Sequence, residues 1–156
     1  MSGGGGNERA ERPSPPGRGA YRAWVPITTR WMDNDLYGHL NNVVYYSFFD
    51  TAVNRWLLER GLLDLGGGGT IGFVVRTECD YFAPLAYPQD VEAGVAVERL
   101  GGSSVTYRVG IFAAGERSAA AAGRFTHVYV DRETRRPRGL AEVWRRALEE
   151  ISVEKG

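Results

Sequence analysis

The stretch VVYYSFFDTAVNRWLLER, residues 43–60, limits the folds open to this chain more than any other feature. Val44, Phe48, Phe49, Ala52, Val53, Trp56 and Leu57 recur at helical spacing and form a core stripe. Val43, Tyr45, Tyr46 and Leu58 widen that stripe until only Ser47, Asp50, Thr51, Asn54 and Arg55 interrupt it. A helix so apolar around its circumference must be enclosed, by its own domain or by another subunit. Asn41 or Asn42 offers a cap for its start, and Gly61 a left-handed residue for its end.

The flanking sequence supplies strands to enclose it. Tyr21, Ala23, Val25 and Ile27 alternate with Arg22, Trp24 and Thr28, and Pro26 confines this strand to an edge or a bulge. Beyond a glycine-rich loop at 66–69, residues 72–82 are rich in Phe, Val, Thr and Tyr. Val91, Ala93, Val95 and Val97 then alternate with polar or small residues, as do Val105, Tyr107, Val109 and Ile111. Gly101-Gly102 predicts a hairpin turn with positive φ, and Ala114-Gly115-Glu116 a second turn into a strand at 118–130. Leu140, Val143, Trp144, Ala147, Leu148 and Ile151 mark a short amphipathic helix lying on the sheet.

This order predicts an α+β fold: a five-stranded antiparallel sheet wrapped around a long central helix, with a short C-terminal helix. The remaining apolar surface points to a homodimer or homotetramer. At 156 residues the chain holds one domain, expected at 20–151. Residues 1–19 have almost nothing to bury and are expected as a disordered tail, with 152–156 as a C-terminal tail.

Composition removes several classes of function. With 19 Lys+Arg against 19 Asp+Glu the chain is formally neutral, which argues against a nucleic-acid partner. Cys79 is the sole cysteine, so neither an intrachain disulfide nor a four-cysteine zinc site is available. No apolar run approaches the roughly 20 residues that span a bilayer, and the opening lacks the apolar region of a secretory signal. A cytoplasmic protein without membrane partners is expected.

Chemistry concentrates at DNDLYGHLNN, residues 33–42, which sets two carboxylates, a histidine and two amides just before the long helix. Free N–H groups at a helix start, with the dipole behind them, favour a developing oxyanion. A nearby carboxylate can attack a carbonyl or activate water, so the segment suits hydrolysis of an acyl compound. Other roles compete. Asp33, Asn34 and Asn41 are read as turn formers or caps. Asp33, Asp35 and His39 carry metal-donor atoms, but their spacing matches no EF-hand or zinc motif, and neither metal nor cofactor is expected. His127 is read as a strand histidine with a local partner, and Cys79 as a small strand residue. Arg132, Arg135, Arg136 and Arg138 lie on a turn that is either solvated or in contact with a nucleotide phosphate.

Residues 30–45, RWMDNDLYGHLNNVVY, resemble the signature DxDxxGHxNNxxY of the 4-hydroxybenzoyl-CoA thioesterase family of hotdog-fold proteins, and are similar to plant acyl-ACP thioesterases. Phe73-Val74-Val75-Arg76 and Asp80-Tyr81-Phe82-Ala83-Pro84-Leu85 resemble the family's second strand and following turn. The resemblance implies that Asp35 is the catalytic carboxylate, that the backbone N–H of Asn42 polarises the thioester carbonyl, and that His39 supports them. The implied substrate is an acyl-CoA or acyl-carrier-protein thioester. Tyr37 stands where the plant enzymes have a functional Asn. The turn Glu98-Arg99-Leu100-Gly101-Gly102-Ser103-Ser104 lacks the family's cluster for the CoA phosphates. A non-catalytic acyl-thioester-binding protein is the alternative. A hotdog dehydratase or hydratase is a further one, although its DxNPxH motif is missing from the sequence.

Overall fold

The computed structural model describes residues 13–63 and 69–153. Five strands, β1 (Ala23–Thr28), β2 (Thr70–Tyr81), β3 (Asp90–Leu100), β4 (Ser104–Ala113) and β5 (Ala121–Asp131), form one sheet in the order β1-β3-β4-β5-β2. Every pairing is antiparallel. β3, β4 and β5 make the expected meander, β1 flanks it at one edge and β2 at the other. Pro26 sits on the edge strand opposite Glu92, with its carbonyl turned outward to Arg55. The missing N–H there breaks no ladder bond.

The long helix, α1 (Val44–Glu59), packs against one face of this sheet. Phe48, Phe49, Ala52, Val53, Trp56 and Leu57 are buried as expected, and they share one core cluster with β1, β3, β4, β5 and the C-terminal helix. At its first turn the expected stripe shifts by one residue: Tyr45 is buried, whereas Val44 is only partly so. Val43, Tyr46 and Leu58 remain exposed in the single chain. Gly61, at φ +71°, ends the helix. Its N–H reaches the Leu58 carbonyl and that of Leu62 reaches Leu57, the paired closure that a left-handed glycine permits.

The C-terminal helix, α2 (Glu142–Glu150), buries Trp144, Ala147 and Leu148, with Ile151 just beyond it, while Val143 faces outward. Arg145 donates to the carbonyls of Gly101 and Gly102, tying α2 to the β3–β4 hairpin. That hairpin forms where expected but not by the expected geometry. Neither Gly101 nor Gly102 has a left-handed φ, and a Cβ on Gly101 would meet Ser104 Oγ at 2.5 Å, so close approach explains this glycine. Gly115, at φ +81°, does turn β4 toward β5 through the left-handed region.

β5 begins at Ala121 rather than Ser118, because the residues before it pair with the N-terminal segment. Ser118 bridges Gly17, and the Ala119 N–H reaches the Pro16 carbonyl. Residues 13–19 of the expected tail therefore run against the sheet. Arg18 anchors them, pairing with Glu92 at 2.9 Å and lying over Trp24 and Phe112. At the other end Val153 donates to Val97. Residues 1–12 and 154–156 of the expected tails, and 66–68 of the expected glycine loop, lie outside the described residues.

Candidate active site

Residues 30–44 connect β1 to α1, and their polar groups divide sharply. Trp31–Asp33 is one turn of 3₁₀ helix closed by a capping box. The Asp33 carboxylate accepts the Arg30 N–H at 2.8 Å and the Arg30 guanidinium at 2.9 and 3.2 Å. It is buried, with 1 % of the residue exposed. Asn34 Oδ1 accepts the Tyr87 N–H at 2.9 Å, tying this loop to the β2–β3 connection. Both side chains serve the structure of the loop.

Asp35 begins a tight turn. Its N–H donates to the His39 carbonyl at 2.9 Å, and among the described residues its carboxylate accepts only the Tyr37 N–H, at 2.8 Å. Gly38 closes the turn at φ +81°, a conformation that side chains disfavour. Asp35 is half-buried and His39 exposed.

The approach to α1 leaves one amide uncommitted. The Leu40 N–H donates to Leu85, that of Asn41 to Asp33, and that of Val44 to the Asn41 carbonyl. Asn41 Oδ1 takes the Val43 N–H at 3.1 Å, so Asn41 caps the turn entering the helix, while Val43 occupies the cap position without a side-chain bond. Between 40 and 44 only the Asn42 N–H has no acceptor among the described residues. Asn42 and His39 line one cleft of about 300 Å³ with Leu40, Tyr45, Tyr81 and Pro84. The structure thus brings two of the three expected site residues into one cleft. Asp35 joins them through its backbone bond to His39, but does not itself line the cleft in the single chain.

Two tyrosines complete the site, and sequence reasoning had placed neither there. Tyr45 and Tyr81 meet edge-on, with ring centroids 5.1 Å apart, and the Tyr81 hydroxyl donates to the Asn42 carbonyl at 2.9 Å. Burial pushes the Tyr45 hydroxyl up to about 12 and raises that of Tyr81 as well, so both remain protonated donors at neutral pH. The available signal was the run from Asp80 to Leu85, which carried part of the family resemblance.

Other expected residues lie elsewhere. His127 is buried on β5, with Nδ1 3.2 Å from the Tyr129 hydroxyl, which in turn contacts Tyr107 at 2.8 Å. Burial lowers its pKa to about 4. The arginine turn follows β5 at the Thr70 end of β2, where Thr70 pairs with Asp131, so the full length of β2 separates it from Tyr81. Arg135 lies over Phe73, and Arg138 reaches Asp131 at 3.5 Å. Among the described residues no group of three His, Cys, Asp or Glu could hold a metal. A larger depression of about 810 Å³ lies between β1 and α1, near Pro26, Thr51, Arg55 and Glu92, but contains neither Asn42 nor His39.

Comparison with known proteins agrees with this fold. The profile of the thioesterase superfamily matches residues 37–120, just over half of the chain. No curated protein sequence matches it. Among solved structures, the PA5185 protein of Pseudomonas aeruginosa strain PAO1 is 54% identical, with TM-score 0.87, covering 89% of this chain and 97% of that one. A predicted thioesterase from Bacillus stearothermophilus is 28% identical, with TM-score 0.72 and coverage of 85% and 98%. The 1,4-dihydroxy-2-naphthoyl-CoA thioesterase Slr0204 of Synechocystis, at 17% identity and TM-score 0.73, shares the fold over 82% of this chain and 96% of its own. No helix among the described residues is long and apolar enough to cross a membrane. A five-stranded antiparallel sheet packed on one long helix, with the superfamily's sequence pattern running through that helix, makes this chain a hotdog-fold thioester hydrolase that belongs to the thioesterase superfamily.

Proposed function

We propose that the chain hydrolyses an acyl-CoA or acyl-carrier-protein thioester in the cleft at the start of α1. One observation carries this reading: the Asn42 N–H is the single uncommitted amide between residues 40 and 44, and it belongs to a residue lining that cleft. A thioester oxygen bound there gains negative charge as the carbonyl is attacked, and a fixed N–H at a helix start stabilises that charge. Asp35 is the nucleophile or general base, and His39, one turn away on the cleft wall, supports it. Rotation about the Asp35 side chain exchanges its single bond to Tyr37 for the substrate or its water.

The enzyme acts as a homo-oligomer, and β2 is the contact between subunits. β2 is a long free edge on which Phe73, Val74 and Val75 lie exposed, the kind of edge that a lone chain rarely leaves open. An antiparallel pairing of β2 with its copy would carry the arginine turn at one end of each strand toward the Tyr81 end of the other, where a phosphate of the CoA or phosphopantetheine moiety would sit.

The test is thiol release by the purified protein over a panel of aliphatic and aromatic acyl-CoAs and acyl-carrier proteins. Turnover of at least one member is expected. Saturable binding without thiol release across the panel would favour a non-catalytic binding protein.

A further inference from the structure

We propose that Tyr81 is a positioning residue for the reaction: its hydroxyl fixes the Asn42–Val43 peptide and thereby keeps the Asn42 N–H free and turned away from the helix. This rests on the proposed hydrolysis at this cleft, with Asp35 as the catalytic carboxylate and Asn42 as the oxyanion donor.

The geometry concerns two successive peptide planes. In the first, the Asn41 carbonyl accepts the Val44 N–H at 2.9 Å and so points into the first helical turn. A trans peptide aims its N–H opposite to its carbonyl, so the Asn42 N–H points outward from that turn. The second plane is held at both ends by side chains. Its carbonyl, that of Asn42, accepts the Tyr81 hydroxyl at 2.9 Å, and its N–H, that of Val43, is taken by Asn41 Oδ1 at 3.1 Å.

Asn41 is itself tied down, its N–H donating to the Asp33 carbonyl at 2.9 Å. Tyr81 is steadied by its edge-on contact with the buried Tyr45 ring. The anchor comes from far along the chain: Tyr81 is the last residue of β2 and stands 39 positions from Asn42. Without it, the Asn42 carbonyl loses its side-chain donor and the plane is held only through Asn41. Rotation of that plane is coupled to the neighbouring one through the shared α-carbon of Asn42, so the donor drifts from its line to the carbonyl oxygen. Small misplacements of this kind lower the rate without weakening ground-state binding to the same degree.

The test compares wild type, Tyr81→Phe and Asp35→Asn, using the thioester that the wild type turns over fastest. Tyr81→Phe keeps the ring and its contact with Tyr45 but removes the hydroxyl. It should lower kcat about tenfold, less than outright loss of an oxyanion donor, with KM changed by less than about twofold and the melting temperature unchanged. Amide hydrogen exchange at Val43 should accelerate in the same variant. A kcat within about twofold of wild type would overturn the proposal, as would a fall in kcat matched by a rise in KM and a loss of thermal stability. Failure of the underlying reading looks different. There Asp35→Asn would be as active as wild type, while exchange at Val43 would still report whether Tyr81 holds the peptide.

Discussion

Asp33 and Asp35 stand two positions apart in one loop and carry the same carboxylate, yet the structure gives them opposite surroundings. Asp33 is buried and takes three hydrogen bonds from Arg30. Asp35 is half-buried and takes a single bond from the backbone of Tyr37. The contrast continues past them: the amides of Leu40, Asn41, Val43 and Val44 are committed, and that of Asn42 is not. A group whose bonding capacity is filled by the protein holds the loop in shape. A group with capacity left over is available to a substrate. On the proposed reading two carboxylates in one motif divide the work between them, and that division can be attacked experimentally.

The buried groups carry the largest expected effects on stability. His127 extends the comparison, because the buried Asp33 carboxylate is bonded by Arg30 whereas His127 is kept neutral by burial, with 3 % of the residue exposed and no partner for Nε2 among the described residues. Its folded pKa of about 4 lies below the ordinary value of 6.5, so the unfolded chain binds the proton more readily between those limits. Stability should therefore be intact above pH 6.5, fall as the pH drops toward 4, and level off below that, a loss of about 3 kcal/mol. Urea unfolding at pH 7 and pH 4.5 checks this. His127→Phe should flatten the dependence, and an equally steep dependence in the variant would count against the assignment.

Asp33→Ala comes next. It removes three bonds from Arg30 and should cost about 2 kcal/mol, read as a fall of roughly 5 °C in melting temperature. A variant as stable as wild type would show that the 3₁₀ turn does not depend on this carboxylate. The smallest change is Gly38→Ala. It forces a side chain into the left-handed region of the Asp35–His39 turn and should cost about 1 kcal/mol in thermal or urea melts. No cost would mean that the turn readily adopts another shape.

Much of the fold could be read from the sequence because it rests on periodicity. The apolar stripe of α1, the alternation in β3 and β4, and the i, i+3, i+4 spacing in α2 each fix a face to be buried, and those faces are buried except at Val143, which points outward, and at Val44 and Leu140, which are partly covered. The details that escaped depend on contacts between distant residues. Tyr45 is buried more deeply than Val44, and its ring meets Tyr81, whose hydroxyl bonds Asn42 39 positions away. Ser118 is drawn out of β5 by the N-terminal segment, which low hydrophobicity alone suggested would not order. Gly101 is crowded by the neighbouring Ser104 hydroxyl and has no left-handed φ. At the site, residue type and spacing drew attention to the segment 33–42, and the family resemblance singled out Asp35, His39 and Asn42 within it. That the Asn42 amide is uncommitted, and that Tyr81 sits on its carbonyl, followed only from the hydrogen-bond pattern.

The most direct measurement is the hydrolysis rate and melting temperature of Asp35→Asn beside those of Asp33→Asn. The account predicts that Asp35→Asn loses about 10²–10⁴-fold in kcat with its melting temperature unchanged, whereas Asp33→Asn is destabilised. Full turnover by Asp35→Asn would contradict it.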